Sequence, residues 1–440
     1  MSLALLARYE QALTQGDSLV TKGRITQMVG LVAEAQGLVL PVGAGVFLYP
    51  DDDQPVLGEV VGFKGGAMLI MPYAEARGIK PGCLVAPAAV EGMVKVGPGL
   101  LGRVIDGLGQ PADGRPEPDF ETLYPLYNQP PAPMTRRRID QPVDCGVRVL
   151  NALLTLGKGQ RMGIFAGSGV GKSTLLGMIA RHTAADVSVL ALVGERGREV
   201  REFIERDLGP EGMARSVVVV ATSDQPALVR IRSAYLATTI AEYFRDQGAD
   251  VMLMMDSVTR FALAAREVGL SIGEPPTTKG YTPSVFSQLP RLLERAGTGA
   301  DRGSITGIYT VLVEGDDVTE PVSDAMRSIL DGHVVLTRQL ADQGHYPAVE
   351  LMGSVSRLMP DINPPEVLEA GHRLLELVAA YRRAEDLINI GAYSPGTNPK
   401  IDRAIEMWDR INAFLCQPKD QGQDLESSRR MLRDLLRTEG

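Results

Sequence analysis

The residues "RMGIFAGSGVGKSTLLGMIA", 161–180, decide how the rest of the chain is read. An apolar run ends in Ala166; Gly167, Ser168, Gly169, Val170 and Gly171 follow, then Lys172, Ser173, Thr174 and a helical pattern. Strand, glycine-rich turn and helix in that order make the phosphate-binding arrangement A-x-x-x-x-G-K-S. Glycines are needed because successive backbone N–H groups must converge on phosphate oxygens, and a Cβ would obstruct them. Lys172 then places a cation on the β/γ-phosphates, the Ser173 hydroxyl ligates Mg²⁺, and the helix starting near Ser173 turns its positive end to the same charge. Ala166 stands where the first glycine is usual, and one methyl at a strand end is tolerable. The expected ligand is therefore a nucleotide phosphate with Mg²⁺.

Two further stretches belong to the same chemistry. "VMLMMDS" closes an apolar strand on Asp256, where a carboxylate can hold the magnesium through water. "VSVLALV" runs into "GERGREV", setting Glu195 just past the strand's C-terminal end, where ligands sit in such sheets. A carboxylate there can polarise or deprotonate an attacking water. The competing reading is that Glu195 merely pairs with Arg196 or Arg198.

At 440 residues the chain is long enough for two or three domains and a large core. Its 44% apolar and 22% charged content is that of an ordinary globular protein. A net charge of −9 argues against a nucleic-acid protein. No apolar run reaches the roughly 18 residues a membrane span needs. The opening "MSLALLARYEQAL" is interrupted by Arg8 and Glu10 and does not read as a secretory signal. Cys83, Cys145 and Cys416 form no CxxC pair or disulfide framework, and the histidines lack ligand spacing. The expectation is a cytoplasmic polypeptide without a metal site of its own.

Residues 1–18 read as a short amphipathic helix, for a partner or for its own domain. Residues 19–93, with "GRITQMVGLVAEAQGL", "GVFLYP", "PVLGEVVGF", "GAMLIMPY" and "CLVAPA", read as a small antiparallel β-barrel. A Gly/Pro-rich linker and entry to the core occupies 94–147. Its "RRR" at 136–138 reads as solvated or inter-subunit rather than as a ligand site. From 148 to 362, nearly continuous apolar runs alternate with helical ones, so an α/β domain with a mostly parallel sheet is expected. Residues 363–440 contain only helical patterns.

"FAGSGVGKST", "GERGREV", "MMDSVTRFA", "GEPPTTKGYTPSVFSQLPRLLERAG" and "SILDGHVVLTR" resemble the rotary-ATPase-like family over essentially the whole chain. That family holds the catalytic subunits of ATP synthases and the type III secretion ATPases. The resemblance implies an α/β fold with a RecA-like parallel-sheet core, a small N-terminal β-barrel domain and a helical C-terminal domain. It also makes Glu195 the catalytic carboxylate, with Arg196 its neighbour in the site. Tyr346, in "QGHYPAVEL", is similar to the aromatic residue that stacks on adenine, although by itself such a tyrosine reads more readily as core. Arg357, in "GSVSRLMP", is similar to the arginine finger that reaches the γ-phosphate on a neighbouring subunit.

Lys172, Glu195 and Arg357 on one chain allow a homohexamer whose head-to-tail interfaces each complete a site. "DLINIGAYSPGTNPKIDRAIEMWDRINAFL" resembles the flagellar export branch more closely than the injectisome branch, which is the alternative. The resemblance then implies ATP hydrolysis coupled to chaperone release, unfolding and delivery of export substrates. It implies as partners an export gate, a negative regulator, stalk-like proteins and chaperone–substrate complexes. The location implied is the cytoplasmic face of the cell membrane at the flagellar base, held there through partners. An RNA-translocating motor would carry a basic, aromatic barrel. Here Lys22, Arg24, Lys64, Arg77 and Lys80 are outnumbered by carboxylates, so no nucleic-acid partner is expected.

Overall fold

Short runs that alternate inward and outward close into a barrel near the N-terminus. The computed structural model describes residues 21–50, 54–88, 92–300, 302–313 and 320–437. The helix expected at 1–18 lies outside them. Six antiparallel strands form the barrel: β1 (Gly23–Val29), β2 (Val32–Gln36), β3 (Gly45–Tyr49), β4 (Val56–Lys64), β5 (Ala67–Pro72) and β6 (Leu84–Pro87). Their order is β1-β2-β5-β4-β3-β6, and β6 pairs back onto β1. Ile25, Val46, Leu48, Val60, Ile70 and Val85 fill the interior. Irregular registers in β1 and β4 add the local bend that closing so small a sheet requires. The chain separates into two compact units, one of residues up to Met93 with Leu270–Glu274, the other of Val94–Gly269 with Pro275–Gly440.

The second unit is built on one large sheet. Before it come β7 (Met93–Val96), which pairs with β9 (Thr122–Pro125), and the short pair β10 (Pro142–Val143) and β11 (Leu156–Gly157). The large sheet runs β19-β18-β12-β17-β15-β13-β14-β8. These strands are β8 (Arg103–Asp106), β12 (Arg161–Ala166), β13 (Val187–Val193), β14 (Ser216–Ala221), β15 (Asp250–Asp256), β17 (Ser304–Leu312), β18 (Gly332–Leu336) and β19 (Val349–Ser356), with the short β16 (Gly297–Thr298) beside β17. All main strands are parallel except the edge strand β19. The continuous apolar runs follow from burial on both faces. Along β13, Val187, Val189, Ala191 and Val193 belong to one apolar cluster, while Leu190 and Leu192 belong to the other.

The helices Ala227–Asp246, Val258–Ser271 and Pro283–Leu293 cover the first face. The helix Lys172–His182 covers the second. The same second core takes in Leu374 and Val378 of helix Pro365–Asn389, Ile411 and Phe414 of Pro399–Leu415, and Leu432 of Leu425–Leu436. The C-terminal helices are therefore packed on the face that carries the phosphate loop's helix. No helix among the described residues is long and apolar enough to cross a membrane.

Two features depart from the sequence reading. The glycine-rich passage after residue 94 contributes an edge strand, β8, held by buried Arg103 through hydrogen bonds of 2.7 and 3.0 Å to Asp113. Within the "RRR" run only Arg136 turns inward, donating to the Ala296 and Glu294 carbonyls. Arg137 and Arg138 stay exposed, Arg137 donating to the Gly303 carbonyl and Arg138 with its side chain 82% exposed. A guanidinium offers such carbonyls a partner, and a buried acceptor left alone costs about 1–3 kcal/mol.

Candidate active site

The site is assembled at the C-terminal edge of the parallel strands, as expected for an open α/β sheet. β12 ends at buried Ala166, whose carbonyl accepts the Val313 N–H at 3.0 Å. The chain then turns through Gly169 at φ 78° and Gly171 at φ 101°. Both values lie in the left-handed region, so glycine is required there for its backbone freedom. Helix Lys172–His182 starts directly after Gly171, with Ser173 exposed at its first turn and Val170 buried beneath the loop. Its unpaired N–H groups and positive end face the space above the loop.

Lys172 and Asp256 meet there. The lysine Nζ contacts Asp256 Oδ1 and lies 3.9 Å from Glu195 Oε1. Asp256 is 3% exposed and also accepts the Thr310 hydroxyl at 2.8 Å. One cation thus stands between two carboxylates. Burial foremost, then the Asp256 charge, pushes the Glu195 carboxyl up to about 7; Lys172 opposes the rise and Glu199 adds to it. A proton held that near neutrality suits a group that exchanges one with water.

Glu195 has no arginine partner. Arg196 pairs with Glu199 at 3.0 Å and Arg198 with Glu202 at 2.8 Å, in successive turns of the helix Gly197–Glu202 and its continuation. Arg196 itself is 77% exposed and points along that surface.

Tyr346 stands on the same edge and is not a core residue, being 46% exposed. A Cβ placed on Gly171 would lie 3.5 Å from its ring, so the aromatic flank borders the loop directly. Arg357 is elsewhere. It follows β19, and its N–H donates to the Asp331 carbonyl, while the Asp331 N–H donates to that of Arg161, at the start of β12. The phosphate loop begins at the other end of that strand, roughly 17 Å away at ~3.3 Å per residue. Within one chain the structure brings together Lys172, Ser173, Glu195, Asp256 and Tyr346, and leaves Arg357 at the opposite edge.

The ATP synthase alpha/beta family nucleotide-binding domain matches residues 146–356, and the T3SS EscN ATPase C-terminal domain matches 363–434. A "Flagellum-specific ATP synthase" of Bacillus subtilis (strain 168) is 53% identical over 94% of this chain and 94% of its own length. The chain belongs to the flagellar and type III secretion ATPases. A "Type 3 secretion system ATPase" of Xanthomonas euvesicatoria is 48% identical over 93% of each chain. Among solved structures, the assembled ATPase EscN of enteropathogenic E. coli is 46% identical, with a TM-score of 0.89 over 94% of this chain and 99% of that one. EscN has also been seen in complex with its central stalk, EscO, with a TM-score of 0.86, 46% identity and the same coverage.

Four residues of this ATPase's site escaped the sequence reading. Thr310, which holds Asp256, is one of several hydroxyl residues within a strand read as apolar. Arg338 donates to the Ser168 carbonyl of the loop at 2.9 Å. Arg260 lies against Gly194, where a Cβ would come within 2.9 Å of its side chain, and its buried Nε has no partner. Glu199 stands behind Glu195. The two arginines lie in the stretches "SILDGHVVLTR" and "MMDSVTRFA", within which only Asp256 carries a motif's signature.

Proposed function

We propose that this chain is the ATPase of a flagellar type III export apparatus, hydrolysing ATP in a ring of identical subunits to drive chaperone release, unfolding and delivery of export substrates. The observation that carries the reading is the self-neutralised cluster of Lys172, Asp256 and Glu195 at the mouth of a glycine-rich loop. It occurs in a chain 53% identical to a flagellum-specific relative along nearly its full length.

The chemistry follows from those groups. On arrival of ATP, Lys172 exchanges the Asp256 carboxylate for the β/γ-phosphate oxygens, and the loop N–H groups take the remaining charge. Ser173 and, through water, Asp256 would hold a magnesium ion, which would supply charge neutralisation to the phosphates. The donors present fit it: a hydroxyl and a carboxylate are hard oxygen ligands, few enough to leave room for phosphates and water. Glu195 orients the attacking water and accepts its proton as the γ-phosphoryl group transfers, and Arg196 lies next to it. Tyr346 supports the adenine face. Arg357, about a strand's length from its own loop, serves the neighbouring subunit's γ-phosphate.

The partners that fit this role are an export gate, a negative regulator, a stalk-like protein and chaperone–substrate complexes, which would hold the ring at the membrane face. Replacing the chromosomal copy by a Glu195→Gln allele tests the reading. Release of flagellar subunits into the medium and motility should fall sharply while the protein accumulates normally. Parental motility with lost secretion of virulence effectors would assign the chain to an injectisome instead.

A further inference from the structure

We infer that Gln417 is a positioning residue for Tyr346, tying the nucleotide's base platform to the C-terminal helices; this rests on the reading of Tyr346 as that platform. Tyr346 sits in an exposed connection between the short helix Arg338–Asp342 and β19. A tyrosine in such a loop offers a fixed face only if its backbone is held. The hold comes from residues just past the end of helix Pro399–Leu415. The Gln417 N–H donates to the Tyr346 carbonyl at 2.9 Å. That bond holds one of the two polar groups of the Tyr346 backbone.

That clasp is itself anchored by the Gln417 side chain, which is buried at 5% exposure. Its Oε1 accepts the Arg148 N–H at 2.7 Å. Its Nε2 donates to the Gly146 carbonyl at 2.9 Å and to the Gln421 carbonyl at 2.6 Å. Arg148 returns a guanidinium bond of 2.5 Å to the Cys416 carbonyl. Both amide hydrogens and one oxygen site of the glutamine are used, which fixes its rotamer and orientation. A buried amide tied to Gly146, Arg148 and Gln421 has little freedom left, and the same residue's backbone N–H is the one that meets Tyr346. Residue 148 therefore reaches the segment that holds the base platform through the Gln417 side chain and, beside it, through its own bond to the Cys416 carbonyl.

The test uses the full-length ATPase and its dependence of turnover on ATP concentration. Gln417→Ala frees the clasp; Gln417→Glu keeps the Arg148 bond and sets an oxygen against the Gly146 and Gln421 carbonyls. Both should raise KM for ATP about 3- to 10-fold with kcat within about two-fold, the pattern of lost uniform binding. Preference for ATP over CTP should shrink, because the smaller base depends less on the aromatic face, while competitive inhibition by inorganic tripolyphosphate stays unchanged. Tyr346→Ala should produce a similar rise, and the double variant Tyr346→Ala/Gln417→Ala no more than the larger single effect. Folded Gln417 variants with parental KM and parental ATP/CTP preference, beside a responsive Tyr346→Ala, overturn the positioning role and leave the base reading standing. A Tyr346→Ala enzyme with unchanged KM overturns both.

Discussion

At Glu195, burial and the Asp256 charge raise the carboxyl to about 7 from an ordinary 4.5. A group that binds its proton more tightly folded than unfolded favours the folded state below its ordinary value, and that contribution is lost as pH climbs from there toward 7. The nucleotide-free ATPase should therefore show a thermal midpoint that declines between about pH 5 and pH 8. Glu195→Gln should flatten part of that decline in a scanning calorimeter. The same titration works oppositely on catalysis: kcat/KM should rise with pH around 7, and the Gln variant should lose about 10²-fold or more in turnover while retaining nucleotide binding. Lys172→Ala should weaken ATP binding by at least ~10²-fold, the scale of removing a desolvated charge contact, as titration calorimetry would show. Lys172, Asp256 and Glu195 were legible because each closes a strand or opens a helix at a motif's fixed spacing. Thr310 and Glu199 were not, since their part depends on which strands and turns become neighbours.

Helix Lys172–His182 joins the loop to the core, and Gly177 is its closest approach to the next layer. A Cβ there would lie 2.5 Å from the Asp207 side chain and 3.1 Å from its carbonyl oxygen. Gly177→Ala gains up to about 1 kcal/mol in helix propensity but forces that contact apart. The net expected is a destabilisation of about 1–3 kcal/mol, read from a denaturant midpoint, because overpacking outweighs propensity in a well-filled layer. The edge strand β8 makes a second case. Its Arg103–Asp113 pair holds the Asp113 carboxyl far below the usual range. That contribution is present above the ordinary aspartate value and fades as pH falls below it. Asp113→Ala should cost about 2–4 kcal/mol at pH 7 and progressively less in acid, toward the low end for a broken pair because some water reaches it. The central strands were legible as nearly continuous apolar runs, because burial on both faces favours apolar residues. β8 and β19 were not: one is a four-residue edge strand among glycines, and the other alternates beside solvent.

For the whole molecule, Arg357 lies at the opposite edge from its own loop, and the role proposed for it would make assembly part of the chemistry. Arg357→Ala subunits should bind ATP yet turn it over about 10³-fold more slowly, the scale of a lost arginine finger. Mixed with inactive Glu195→Gln subunits, they create interfaces where an intact Glu195 faces an intact Arg357. Part of the parental rate should return, and dilution should abolish it because the interfaces dissociate. Mixtures that exchange subunits, shown by labelling, yet stay inactive would place Arg357 outside the neighbour's site. Nothing in spacing or periodicity pointed to this division of labour. Resemblance alone proposed the finger, and the sheet's register supplies the separation of Arg357 from its own loop.

The contact between Lys172 and Asp256 has a consequence for what the pocket admits. An anion that arrives alone must pull the lysine from a buried carboxylate and leave that carboxylate uncompensated. A nucleotide that brings a divalent cation repays the debt on both sides at once. Chelator-treated ATPase should therefore bind ATP more weakly than the same protein with Mg²⁺, and Asp256→Asn should narrow the gap, both measured by calorimetry without turnover. Free phosphate, sulfate and other small anions meet the same toll. If those measurements come out so, the pocket chooses its guest by the companion it brings.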